Sequence, residues 1–246
     1  MKSRRRIEIA KEISEIIVQK YGNEVLLIGV YGSVARGEDV TYSDIDMYVI
    51  TRSLTFQRYF VYKGIPVTIH FKTKRKVLKL IGNVTSTWPA EVYQYLCPKI
   101  LYGSEALLEE FRQVLERIPE ESFWKAASTA LIELFENVGK VRNACIEKNL
   151  GRCIEAVWNV VWHADMFVAL VNKKFFKKPG FRGLEEVMEF RKIPENYCEL
   201  MKTLWISREF KELEKASMKL WGNCVKLAKE EGIKFKNYTS LEEIDL

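Results

Sequence analysis

The sequence predicts an α+β chain: a short mixed or antiparallel sheet with flanking helices over residues 1–118, then an all-helical bundle over residues 119–246. Three observations carry that prediction. Short apolar, strand-like runs are confined to residues 25–71. Apolar residues at helical spacing dominate from Ser122 to Glu231. No strand pattern survives beyond Pro119.

The elements follow in order. Residues 5–21 carry Ile9, Ile13, Ile16 and Ile17 at helical spacing and stop near Tyr21-Gly22. The run from Val25 to Tyr31 reads as a buried strand broken by Gly32-Ser33, with a helix expected straight after. A second strand runs from about Asp44 to Thr51. Phe56 to Tyr62 and Val67 to Phe71 supply a third and fourth, joined by a turn at Lys63-Gly64-Ile65-Pro66. Helical pattern resumes at Lys74.

Glu120-Glu121-Ser122 suits a helix start, because acidic side chains sit well at the positive end of a helix dipole. From Ser122 to Lys148 an apolar face carries Leu131, Leu134, Phe135, Val138 and Val141. A second bundle helix covers about Arg152 to Lys173, closed by the Asn172 to Phe176 segment and broken by Lys177-Lys178-Pro179-Gly180; a third covers Ser207 to Glu231. Trp158 and Trp162 are expected in the core, and Asn159 and His163, four apart, are expected to satisfy each other or the backbone.

Composition narrows the function. The most apolar stretch, Ala156 to Val171, is interrupted by Asn159, His163 and Asp165 and is too short for a bilayer, so no membrane partner is expected. The 5 cysteines are widely spaced, odd in number and without a CxxC pair. That argues against a zinc site or a disulfide framework and makes a reducing cytoplasm the default. Only 2 histidines argue against a histidine-based metal site. Lysine and arginine outnumber aspartate and glutamate by 39 to 33. This mild excess suits a polyanionic ligand such as a nucleoside triphosphate, and falls short of a nucleic-acid binder. The clusters Arg4-Arg5-Arg6 and Lys173-Lys174 with Lys177-Lys178 read as solvated faces.

The chemistry concentrates in Gly32-Ser33-Val34-Ala35-Arg36-Gly37 followed by Tyr42-Ser43-Asp44-Ile45-Asp46. Backbone amides at a helix start, with glycine permitting close approach, form an anion site suited to phosphates, and Ser33 adds a hydroxyl donor. Asp44 and Asp46 lie two apart on a strand, so both carboxylates project from one face while Ile45, Met47 and Val49 face the other. Two adjacent hard oxygen anions suit Mg²⁺, which takes one or two carboxylates plus substrate phosphates. Arg36 either binds phosphate or closes the turn.

This Gly-Ser…Asp-x-Asp pattern resembles the signature of the DNA polymerase beta-like nucleotidyltransferases. The likeness is closest to the kanamycin (aminoglycoside) nucleotidyltransferases and extends over most of the chain. It includes Lys20-Tyr21-Gly22, Ile28 to Ser33, Tyr42 to Ile45, and Glu133-Leu134-Phe135-Glu136 through Gly139-Lys140 to Arg142-Asn143. The resemblance implies a general base at Glu136 and a phosphate-contacting lysine at Lys140. It implies one or two Mg²⁺ ions on Asp44 and Asp46, a nucleoside triphosphate donor, a small-molecule hydroxyl acceptor, and a homodimer with its cleft near the subunit interface. Glu133, Glu136 and Lys140, at i, i+3 and i+7, share one helix face.

Two departures stand out. Such enzymes carry a third carboxylate on a later strand, where this chain has Thr68; no acid occurs between Ser53 and Lys79. Thr68, His70 and Lys72 share the strand face expected to look toward the metal. His70 is either a hydrogen-bonded strand residue or a substrate contact. Carboxylates that meet the aminoglycoside are replaced by Tyr59 and Ile132, which argues against a polycationic acceptor. Three function classes therefore stay open: a transferase acting on a small hydroxyl compound, a nucleotide-binding module with lost turnover, and a protein-modifying (antitoxin-type) transferase.

Overall fold

In the computed structural model the described residues are 2–178, 183–234, 240 and 242, without the side chains of residues 2–4. They divide into two compact units, one of residues 1–83 and 91–118, the other of residues 84–90 and 119–246.

The first unit opens with helix α1 (Lys2–Tyr21), followed by β1 (Val25–Tyr31), a short α2 (Gly32–Arg36), β2 (Ile45–Thr51), β3 (Phe56–Tyr62) and β4 (Ile65–Thr73). Then come α3 (Lys74–Gly82), α4 (Trp88–Glu91, counted with the second unit up to Ala90), α5 (Tyr93–Leu96), β5 (Lys99–Gly103) and α6 (Ala106–Glu116). The sheet is mixed, in the order β3-β4-β2-β1-β5. Only β2 and β4 run parallel.

Strand alternation sorts the side chains into two faces. Ile45, Met47 and Val49 of β2, with Val67, Ile69 and Phe71 of β4, pack beneath Ile9, Ala10, Ile13 and Ile17 of α1. Each of these Ile, Val, Met and Phe side chains, fully buried, contributes about 1.5–3 kcal/mol. Ile16, expected on the same helix face, is 61% exposed. The opposite face carries Asp46, Tyr48, Thr68 and His70.

Three local expectations are corrected. The hairpin turn is tighter than expected: Lys63 and Gly64 both take positive φ, 50° and 77°, the conformation of a two-residue turn, so Ile65 and Pro66 already belong to β4. Pro66 is tolerated because β4 pairs with β2 only from Val67 onward, so its missing N–H breaks no bond there. Strand β5, inside a stretch that looks helical, pairs with β1; its five residues are too few to announce alternation. Third, Arg6 is not solvated but 5% exposed.

The second unit holds α7 (Glu120–Ile146), α8 (Leu150–Val171), α9 (Gly183–Val187), α10 (Tyr197–Ile206) and α11 (Phe210–Glu230). Among the described residues only α8 is long and apolar enough to cross a membrane, and from Ala164 to Val171 every residue of it is buried. Asn172 closes α8, donating to Val168 O at 2.8 Å and Lys192 O at 2.7 Å. The breaker residues Pro179 and Gly180 lie outside the described residues. Two aromatics expected in apolar faces are on the surface. Phe135 is 53% exposed and packs on Trp221 with ring centroids 4.8 Å apart; Trp158 is 52% exposed and meets Trp205 edge-on at 5.2 Å. Aromatic pairing supplies the shelter that burial was expected to give.

Candidate active site

The first unit builds an acidic corner at the end of β1. Gly32 has φ 71°, a conformation that side chains with a Cβ rarely adopt. A Cβ built there would stand 3.2 Å from Asp46 Oδ2. The Asp46 carboxylate therefore lies directly against the Gly32 backbone, as the pairing of Tyr31 with Asp46 requires. The helix expected after Gly32-Ser33 is only five residues long, ending at Gly37 with φ 71°. So short a helix has little macrodipole, which leaves the backbone N–H groups and the Ser33 hydroxyl as the local donors.

Arg36 closes this turn. Its Nε stands 3.0 Å from Glu38 Oε2, and its side chain also bonds the Tyr93 hydroxyl. The same hydroxyl lies near Gly32, 4.0 Å from where a Cβ on that residue would stand. Tyr93 was missed in the sequence, where nothing separates it from its neighbours in a short apolar helix.

Asp44 is exposed and Asp46 half-buried. Burial first, and the Asp44 charge second, push the Asp46 carboxyl up to about 6. Two adjacent carboxylates, one resisting ionisation, are the signature of a corner short of positive charge. The donor set fits one divalent cation drawing its remaining ligands from water and a triphosphate. Among the described residues no cluster of three or more acidic, histidine or cysteine ligands occurs. Thr68 is the register partner of Asp46, beside it on β4.

A buried residue holds this corner from behind. Arg6 of α1 donates to Asp39 Oδ2 at 3.1 Å, to Thr41 O at 2.7 Å and to Ser43 O at 2.9 Å, which fixes the loop leading into Asp44. A sequence signal did exist: Arg6 precedes Ile9, Ala10, Ile13 and Ile17 at helical spacing, on the buried face.

Along the same sheet face, Tyr59 is the register partner of Thr68, and Gln57 of His70. Tyr59 is 66% exposed, and its hydroxyl donates to Gln57 Oε1 at 2.6 Å. Burial and the neighbouring Lys72 charge push the His70 imidazole down.

The second unit presents Glu136 and Lys140 as an exposed pair, Nζ to Oε1 at 2.8 Å. Hydrogen bonding and charge from Lys140 hold Glu136 below the usual carboxylate range. On α8, His163 Nδ1 lies 3.2 Å from Glu133 Oε2, and burial pushes the imidazole down. Asn159 takes the backbone alternative, donating to Glu155 O one turn back at 3.1 Å.

Residues 10–118 match the family model described as the nucleotidyltransferase domain, and residues 105–234 match the KNTase C-terminal domain. An aminoglycoside nucleotidyltransferase (4') of Staphylococcus aureus is 33% identical over 145 residues, 58% of this chain and 57% of that protein. A Bacillus sp. protein of the same name gives the same figures. The chain thus spans just over half the length of these relatives. A putative protein adenylyltransferase of Methanocaldococcus jannaschii is 26% identical over 136 residues, 48% of this chain and 92% of that protein. A solved structure, a nucleotidyltransferase-like protein from Exiguobacterium sibiricum 255-15, aligns with TM-score 0.49 and 17% identity over 90% of this chain and 75% of that one.

Proposed function

The chain belongs to the polymerase beta-like nucleotidyltransferases that carry a KNTase C-terminal domain, and from that premise we propose that it transfers a nucleoside monophosphate, AMP from ATP, onto a hydroxyl of a small molecule. The observation that carries this reading is the Asp46 carboxylate set against the Gly32 backbone, with Asp44 beside it. A triphosphate entering that corner meets backbone N–H groups, the Ser33 hydroxyl and two carboxylates ready to hold a cation.

The roles divide as follows. Asp44 and Asp46 hold Mg²⁺, which when bound neutralises charge on the triphosphate. Gly32, Ser33 and Lys140 engage the phosphates. Arg36 acts at one remove, by keeping the turn closed. The acceptor oxygen attacks the α-phosphorus, its bond to the β-phosphate oxygen breaks, and pyrophosphate leaves. Glu136 takes the proton from the acceptor hydroxyl. Glu136 is exposed and ionised, and its contact with Lys140 sets that carboxylate beside a phosphate-binding ammonium. The homodimer belongs to the same proposal.

A second reading is favoured by one comparison. The archaeal relative, a putative protein adenylyltransferase, is covered over 92% of its length, so the acceptor class could be a side-chain hydroxyl of another polypeptide. One experiment separates the two. Purified protein with ATP and Mg²⁺ is assayed for pyrophosphate release against small hydroxyl compounds and against co-purified polypeptides. Release that needs a small acceptor supports the first reading. Label transferred from ATP to a polypeptide alone supports the second. Triphosphate binding that is indifferent to Asp44→Asn and Asp46→Asn removes both.

A further inference from the structure

The sheet face beside the aspartates has a polarity of its own. Tyr59, Thr68, Asp46 and Tyr31 are successive register partners across β3, β4, β2 and β1, so they form one row on one face. Neighbouring strands lie about 4.8 Å apart, which puts Thr68 next to the Asp46 carboxylate and Tyr59 one strand further out. Two residues along β4, on the same face, stands His70, and two beyond it Lys72.

The Lys72 ammonium does not run out to solvent. It lies over the Tyr95 ring at 5.5 Å from the centroid, and Tyr95 packs on Tyr48 at 5.1 Å. Tyr48 is the register partner of His70. The ammonium is thus folded toward the His70 row, roughly 7 Å along the strand from the Thr68–Asp46 row. Burial, ahead of any charge, pushes its pKa down, while Glu91 opposes that shift and Lys76 adds to it. A half-buried ammonium whose charge is disfavoured gains from an anion. Next to it, the Tyr59 ring stands perpendicular to His70, 88° at 6.1 Å, and remains largely exposed.

Resting on the transferase reading above, we propose that the acceptor is an anionic hydroxyl compound with a ring that stacks on an aromatic side chain, through the flat ring of an aromatic acid or the C–H face of a phosphorylated sugar. The ring lies against Tyr59 and His70. Its negative group pairs with Lys72, and its hydroxyl sits at the Thr68–Asp46 row, roughly 7 Å from the anion. The β3–β4 part of this face offers a polycation an ammonium and, from Ser53 to Lys79, no carboxylate; the acids near it are Asp46, assigned to the metal, and Glu91, which acts on Lys72.

The test has two arms. In the first, binding alone is read from the His70 ring resonances by NMR, with 4-hydroxybenzoate and glucose 1-phosphate as anionic probes, glucose as the neutral one and kanamycin as the polycation. The anionic probes are expected to shift His70 in the wild type and not in Lys72→Gln; no shift, or a larger one with kanamycin, overturns the proposal even if the protein proves to have no transferase activity. The second arm measures pyrophosphate release. Lys72→Gln is expected to raise the KM of an anionic acceptor roughly tenfold or more, the loss of one charge-assisted contact, with nucleotide KM unchanged. A rise in nucleotide KM instead would make Lys72 a triphosphate ligand and overturn the assignment. Triphosphate binding that ignores Asp44 and Asp46, with the anionic probes still bound at His70, would sink the transferase reading alone.

Discussion

Arg6 Nη1 stands 3.1 Å from Asp39 Oδ2, and the two side chains are only 6% and 0% exposed. The rest of the guanidinium is spent on Thr41 O and Ser43 O. One buried cation therefore ties α1 to the loop that ends at Asp44. An ion pair of this kind is weak evidence for stability in itself, but its removal strands a buried charge.

Arg6→Ala is therefore expected to destabilise the protein by about 3–5 kcal/mol, read as a lower urea midpoint. Arg6→Lys, which keeps charge but loses the forked geometry, should fold better yet bind Mn²⁺ more weakly than wild type by calorimetry. Equal metal affinity in Arg6→Lys would mean that the loop is ordered by something else.

The Asp46 carboxyl, raised to about 6 by burial and by Asp44, gives the metal site a pH dependence. Cation binding requires the ionised form, so affinity for Mn²⁺ should climb as pH rises through about 6 and level off above it. Asp44→Asn removes the repelling charge and should move that rise to lower pH, while weakening binding at every pH. A flat profile between pH 5 and 8 would count against both aspartates as ligands.

Glu136→Gln should lower turnover by roughly 10²–10⁴, the contribution of a positioned base, while leaving nucleotide affinity near wild type. Lys140→Gln should do the reverse, raising nucleotide KM. Comparable KM changes in both variants would point to a structural role for the pair.

Asp165 supplies a stability switch unconnected with the reaction. It is buried in the helical unit, accepts from the Tyr197 hydroxyl at 2.6 Å, and is pushed up to about 7, chiefly by desolvation. The folded form holds the proton across a window from about 4, the unfolded value, to about 7. Stability contributed by the protonated acid is thus fully present below that window and is lost as pH rises through it. Asp165→Asn, which can still accept from Tyr197, should flatten the change; urea midpoints at pH 5 and pH 8 make the comparison. A wild type equally stable at both would refute it.

Much of this was readable along the chain. The alternation of Ile45, Met47 and Val49 against Asp46 and Tyr48 announces the strand, which begins at Ile45, one residue after the Asp44 expected to open it. The spacing of Glu133, Glu136 and Lys140 does the same for a helix surface. Those relations need only neighbours in sequence and the fixed periods of the two structures.

What tertiary structure alone decided lies between distant residues. Whether Arg6 was buried depended on Asp39, Thr41 and Ser43, more than thirty positions away. Whether Trp158 entered the core depended on Trp205. The row Tyr59–Thr68–Asp46–Tyr31 exists only once four strands have chosen their order and register. Local sequence sets which way a side chain points along its own element. The partner it meets is set by packing between elements, where long-range burial and pairing outweigh local preference.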